Sequence, residues 1–297
     1  MDFDIAMLGH VSKDIIVDHL GAETRLLGGA VVQSCAAAAR AGAKVLVVTK
    51  AAAGEAAALE PRRREAARLI VLPSPETTSI LNVFKTADHE RRDTKLLSRA
   101  APFAASDLPA EISARIIDLA GLFVGELPDS LIEELKGRGR IAADAQGLLR
   151  RADQSGAMLF ADWEEKRRYL PSVDFFKTDA AEAEILTGLK DREAAARTLA
   201  SWGAGEVMVT HNSEVIVLVE GRIFRAPFTP SNLSGRTGRG DTTFASYLTR
   251  RLDHDPQDSV RFAAALCSIK MEKPGPFSGS IGEVLERMER DAKRSAD

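Results

Sequence analysis

Three glycines, Gly235, Gly238 and Gly240, stand in one short run, Ser234-Gly-Arg-Thr-Gly-Arg-Gly-Asp241, that opens directly onto a helical pattern. Without Cβ atoms, such a run lets backbone N–H groups approach an anion closely, and the helix N-terminus adds partial positive charge. Asp241, in the first turn, either caps the helix or faces a substrate hydroxyl as a base. Arg239, between the glycines, either reaches a phosphate with its guanidinium or lies outward against an acidic neighbour. The coincidence of three glycines with an acid favours a phosphate site over a plain loop and cap. The commoner motifs are missing: the chain has no GxxxxGK[ST], no GxGxxG after its first strand, no HExxH and no EF-hand loop.

A loop of this kind has to be held by strands and helices. Residues 5–8 read as a buried strand ending at Gly9, residues 30–41 as a small-residue helix closed by Gly42, and residues 44–49 as a second strand. Strand, helix, strand predicts a right-handed crossover and a parallel sheet. Further strands are expected at 122–125, 141–144, 157–161, 174–177, 206–210, 215–219 and 222–226. Helices are expected at 130–136, 180–186, 242–252, 256–271 and 280–296. Asp144 ends one of those strands, where open α/β sheets place their sites. Residues 15–27 and 77–97 break the pattern: they are polar and β-leaning, and predict either a small sheet standing off the main body or long surface loops.

Composition narrows the partners. The 297 residues carry 40 Lys+Arg against 43 Asp+Glu, a formal charge of −3, which argues against duplex nucleic acid held by phosphate neutralisation. An aromatic content of 5% leaves little for stacking single strands. Cys35 and Cys267 lie far apart on apolar helices and read as core residues, which excludes a disulfide scaffold or a four-thiolate zinc site. The five histidines lack ligand spacing, and Arg62-Arg-Arg64, flanked by Glu60 and Glu65, reads as a solvated face. The acidic N-terminus is unlike a signal peptide and no long apolar stretch appears, so a cytoplasmic protein without membrane or nucleic-acid partners is expected.

Gly235-Arg-Thr-Gly-Arg-Gly-Asp241 resembles the second signature, D-T-x-G-A-G-D, of the ribokinase-like (PfkB) carbohydrate kinases. Three more stretches resemble that family in order: Gly28-Gly29-Ala30-Val-Val-Gln33 (G-G-x-x-x-N), Lys177-Thr-Asp179-Ala-Ala-Glu182 before Leu186-Thr-Gly (N-x-x-E), and the helix and turn from Ala263 to Gly275. The resemblance implies a three-layer α/β/α fold with a mainly parallel central sheet and a small β lid, as one domain over 1–297 with lid segments near 11–27 and 77–97. It implies ATP and Mg²⁺ as cofactors and a sugar or polyol acceptor, a nucleoside being the alternative. A non-catalytic binder on the same fold is the other reading.

Carried over, the family's roles make Asp241 the base, with Gly238, Arg239 and Gly240 as anion hole. Asp14, Gly28, Gly29 and Gln33 would hold the acceptor. Thr210, Asn212, Thr237, Gly238, Gly240, Lys270 and Gly275 would hold the nucleotide, and Glu182 and Asp179 the metal through water. A homodimer through the lid is also expected. The chain departs from the family at Gly235 (for Asp), Arg239 (for Ala), Gln33 and Asp179 (each for Asn). Its Thr210-His-Asn-Ser-Glu-Val also lacks the glycines of T-x-G-x-x-G.

Overall fold

Aliphatic, β-branched runs buried on both faces, such as Val45–Ala51, demand cover above and below, and they form the middle of a large sheet. The computed structural model describes residues 3–55, 59, 65–86, 92–109 and 112–294. Its main sheet has nine strands in the order β15 (Arg222–Pro227), β14 (Glu214–Val219), β13 (Glu206–Thr210), β12 (Phe175–Asp179), β9 (Arg140–Asp144), β8 (Ala114–Leu119), β1 (Phe3–Leu8), β4 (Val45–Ala51) and β5 (Arg68–Pro73). From β13 to β5 neighbouring strands run parallel, while β14 and β15 finish the sheet antiparallel.

Alternate residues feed two cores. Ile5, Met7, Val45 and Val47 pack beneath the helices Ala30–Arg40, Arg239–Arg250 and Pro256–Met271. Ala6, Leu8, Leu46 and Val48 belong to the opposite core, which holds Leu131, Leu186 and Leu199 from the helices Ser130–Glu134, Ala180–Thr187 and Arg192–Ser201. The period of two along each strand thus yields three layers. The helix Ile281–Arg294 lies outside, against Pro256–Met271.

A second sheet of four strands has the order β3 (Glu23–Gly28), β2 (Ser12–Val17), β6 (Thr78–Phe84), β7 (Arg92–Ser98). Three passages of chain between the sheets are fastened at His10. Its Nε2 donates to the Ala101 carbonyl at 3.0 Å and its Nδ1 accepts from the Thr78 hydroxyl at 3.2 Å. Thr78 Oγ1 in turn accepts from Ala100 N at 3.1 Å. Burial, above all, keeps the imidazole below its usual pKa, against the pull of Glu126.

Several expectations need correction. Residues 122–125 form a turn, and the strand sits earlier as β8, where Arg115 and Asp118 interrupt the apolar pattern. Residues 157–161 contain β11 (Met158–Phe160), but it pairs with β10 (Arg150–Ala152) in a separate hairpin. The helix Arg192–Ser201, capped by Asp191 on Ala194 N at 2.7 Å, was not anticipated. Residues 62–64 and His89 lie outside the described residues. Among the described residues, no helix is long and apolar enough to cross a membrane.

Candidate active site

The helix Arg239–Arg250 begins at the glycine run. Gly238 is its N-cap with φ 78°, the left-handed region that glycine alone enters without strain. A Cβ there would also sit 2.5 Å from Gln33 Cδ. The Arg239 N–H closes the turn onto the Arg236 carbonyl at 3.2 Å. This takes it out of the expected anion hole, whereas the Gly240 N–H has no backbone partner among the described residues. Asp241 is not the capping residue. Burial, then the Asp144 carboxylate, push its pKa up, while Lys177, Arg150 and Lys270 pull it down.

Beneath this helix start lies a buried cluster from the ends of β8, β9 and β12. Lys177 Nζ donates to both oxygens of Asp144, at 3.0 and 2.9 Å, and a Cβ on Gly240 would stand 2.9 Å from that nitrogen. Burial opposes the charge on Lys177, but Asp144, Glu182 and Asp241 outweigh it and raise its pKa. Asp118, 1% exposed, has an Oδ1 without a hydrogen-bond partner, and burial followed by Asp144 and Asp241 raises its pKa well above the ordinary value.

Asp179 and Glu182 cap the helix Ala180–Thr187 reciprocally, each carboxylate accepting the other's N–H at 2.8 Å. Burial first, with Asp144 and Asp179 adding, lifts Glu182 to about 7 against the pull of Lys177. Among the described residues no cluster of three or more acidic, His or Cys side chains is built to hold a metal. Two carboxylates on a phosphate-sized cavity still fit Mg²⁺, which keeps several waters and takes one or two carboxylates plus phosphate oxygens.

Two cavities meet here. The larger, about 470 Å³, is lined by Phe84, Lys177, Asp179, Glu182, Thr210, Asn212, Ser234, Arg236, Arg239 and Gly240. The smaller, about 110 Å³, is lined by Ser12, Asp14, Gly29, Gln33, Asn82, Thr94 and Arg150. Gln146, Thr237, Gly238 and Asp241 line both. In the smaller one Asp14 Oδ1 accepts from the Ser12 hydroxyl at 2.7 Å, and Asn82 Oδ1 from Thr94 at 3.0 Å. The Gln33 side chain is buried and its Oε1 has no partner. Gly28 lets the Asp14 carboxylate lie against the backbone, because a Cβ would be 2.1 Å from Oδ2. In the larger cavity Asn212 Oδ1 accepts from Arg239 Nη1 at 3.0 Å and Arg236 Nη2 at 3.4 Å. Arg239 thus turns to an amide, with its guanidinium 5.9 Å from the Phe228 ring centroid, rather than to an acidic side chain.

Most of the sequence candidates converge on these cavities. Gly28, Lys270 and Gly275 are not among the lining residues. The Lys270 ammonium is buried against the Gly235 carbonyl at 2.6 Å and the Thr237 carbonyl, so it pins the glycine loop. Sequence reasoning gave no site role to Asn82, Thr94, Gln146, Arg150, Lys177 or Arg236. Gln146 and Arg150 follow the strand ended by Asp144, and that strand end was the one signal pointing to them.

The pattern of the pfkB family carbohydrate kinases matches residues 1–281. The chain belongs to this family. Among solved structures, this pfkB kinase is 36% identical to a pyrophosphate-dependent kinase in the ribokinase family complexed with a pyrophosphate analogue and myo-inositol. The match covers 95% of this chain and 99% of that one, with a TM-score of 0.86. A sulfate complex of a pyrophosphate-dependent kinase in the ribokinase family is 37% identical over the same shares, with a TM-score of 0.87. Arabidopsis thaliana ribokinase with ribose and ATP is 17% identical over 97% of this chain and 99% of its own, at a TM-score of 0.77, a likeness of fold. No curated protein matches the chain.

Proposed function

We propose that this kinase transfers a phosphoryl group from pyrophosphate to a hydroxyl of a cyclitol or similar polyol, with Asp241 as general base. The carrying observation is that Asp241 lines both cavities, at the junction where an acceptor hydroxyl would meet a phosphorus atom. The buried Gln33 oxygen, Asp14, and Asn82 and Thr94 from the small sheet suit a ring rich in hydroxyls. In this reading that sheet serves as the lid. The expectation of ATP gives way to pyrophosphate because relatives at 36% and 37% identity are pyrophosphate-dependent kinases. The larger cavity also presents Arg236, Arg239 and Lys177 to a compact polyanion.

Asp14 and Gln33 orient the ring so that one hydroxyl lies against Asp241. The carboxylate takes the proton as that oxygen bonds to phosphorus, and the bridging P–O bond breaks to release orthophosphate. The Gly238 and Gly240 N–H groups and Lys177 face the charge that spreads over the phosphoryl oxygens. Asp179 and Glu182 would hold Mg²⁺ through water, and the ion would neutralise phosphate charge.

The test is Asp241→Asn, assayed for phosphate release from pyrophosphate with a panel of cyclitols and sugars. General-base loss predicts a fall in kcat of about 10²–10⁴-fold with acceptor affinity by calorimetry nearly unchanged. Turnover retained by this variant would refute the assignment.

A further inference from the structure

The segment that leaves β9 brings Gln146 and Arg150, one helical turn apart, to the smaller cavity. Gln146 N donates to Asp144 Oδ1 at 3.0 Å, which fixes the start of the turn. Gly147 lets the turn pack closely, because a Cβ there would stand 2.8 Å from Gly121 Cα. The Arg150 carbonyl then accepts from Val124 N at 2.9 Å, and the guanidinium lies 5.5 Å from the Phe123 ring centroid. Glu182, Asp241, Asp144 and Asp14, in that order of strength, balance its charge, which sets it nearer the junction of the two cavities than the wall at Asp14. Balance at a distance is not bonding. Among the described residues the guanidinium takes part in no hydrogen bond or ion pair, and Nε is buried without a partner. Arg150 is therefore a set of directed, charged donors held in place by its backbone and a ring.

Acceptor hydroxyls already have oxygens to bond in this cavity, those of Asp14, Asn82 and Gln33. An acceptor with a carboxylate or phosphate of its own would face Asp14 and Asp241. The anion that does come within reach is the phosphoryl group in transfer. Lys177 lines the larger cavity and not the smaller, Arg150 lines the smaller and not the larger, and Asp241 stands between them. We propose that Arg150 is a catalytic residue that takes over the phosphoryl oxygens on the acceptor side, in the transition state and in the product; this rests on the kinase reading with Asp241 as base, but not on the identity of the donor. The acceptor oxygen bonds to phosphorus, the bridging P–O bond breaks with its electron pair going to the leaving phosphate, and the hydroxyl proton goes to Asp241. Arg150 keeps its proton throughout. Its fork donates to oxygens that come within reach only as phosphorus moves toward the acceptor, so the contact strengthens between ground state and transition state.

The full-length protein is assayed with pyrophosphate and with ATP against myo-inositol and the panel of cyclitols and sugars, and the pair that the wild type turns over fastest is kept. Arg150→Met and Arg150→Lys, each checked by its melting curve, are compared with the wild type in three quantities. These are kcat, calorimetric affinity for the acceptor, and affinity for the phosphorylated product that the wild type makes from it. Because Arg150 also pulls the Asp241 pKa down, kcat is read on the high-pH plateau of each profile. Arg150→Met should lose about 100-fold in kcat, as two directed contacts of about tenfold each imply, and about tenfold or more in product affinity. Acceptor affinity should change less than about threefold. Arg150→Lys should fall between, since charge is kept while the planar fork is lost. It also preserves the charge balance of the buried carboxylates, so it carries the same comparison if the Met variant melts early. Equal losses of acceptor and product affinity, or a plateau kcat within about threefold of the wild type, would overturn the proposal. A wild type that turns over no member of the panel with either donor would refute the kinase reading itself, and that is visible before any variant is made.

Discussion

Lys177→Met removes the cation that donates to both oxygens of Asp144 in the buried carboxylate cluster. The pair is almost fully enclosed, with side-chain exposures of 6% for Lys177 and 4% for Asp144. Asp144 would keep its place among Asp118, Glu182 and Asp241 without its bidentate partner. Removing one member of a buried ion pair costs about 3–5 kcal/mol, because the surviving charge remains desolvated. For a chain of this size that is a fall in Tm on the order of 10 °C. The double variant Lys177→Met/Asp144→Asn removes both charges and should lose less than the single Lys variant, since most of the cost is the orphaned carboxylate. Urea unfolding of wild type, both singles and the double closes the cycle. A Lys177→Met loss below about 1 kcal/mol, or simple additivity of the two singles, would refute the view that this pair holds the cluster together.

Two further outcomes follow from the same geometry. Burial and Asp144 raise the Asp241 pKa, and a carboxylate serving as the proposed base must be ionised to act. The kcat/KM profile should therefore fall as pH drops through a point above the ordinary carboxylate range. Lys177→Met should move that limb higher still, since Lys177 pulls the pKa down; an unmoved limb would show that Asp241 is not the titrating base. Gly235→Ala would place a Cβ 1.9 Å from the Lys273 carbonyl oxygen and 2.4 Å from its carbon. Ordinary contact begins at 3.4 Å, so backbone must retreat, at a cost of about 1–3 kcal/mol or more and with loss of activity, measured by melting and initial rates. Wild-type values for both would mean that the loop yields freely.

The glycine run and Asp241 were legible because their chemistry is contiguous in the chain: helix start, anion approach and acid fall within a few residues. Asp14 was legible only through the resemblance. Its neighbours Asn82 and Thr94 were not legible at all, since β2 meets β6 across a long sequence separation and no local pattern encodes that register. Strand β8 was missed for a physical reason of its own. Asp118 is buried inside it, so the residue that breaks the apolar pattern is itself part of the cluster beneath the site. Lys270, read as a nucleotide contact, proved to be satisfied by the carbonyls of Gly235 and Thr237. Sequence placed it in the right neighbourhood but could not show which way its ammonium turned.

Most departures from the family pattern fall about the larger cavity: Arg239, Asp179 and Asn212 line it and Gly235 stands in the same glycine loop, whereas Gln33 lines the smaller cavity beside Gly29 and Asp14, which keep the family residues. Structurally the donor-side changes depend on one another. The Lys273 carbonyl fills the space where any side chain at position 235 would begin, and Gly235 N donates to the Met271 carbonyl at 2.8 Å, locking the loop to the end of the helix Pro256–Met271. Asn212 occupies the place of the first missing glycine, and its side chain is the one that gathers Arg236 and Arg239. A single decayed motif would leave partners without purpose. Here Asn212 and Asp179 each contact other residues lining the larger cavity, Arg236 and Arg239 for the first and Glu182 for the second, as the proposed compact donor would require. Restoring one family residue alone, such as glycine at 212, should then impair the site rather than repair it.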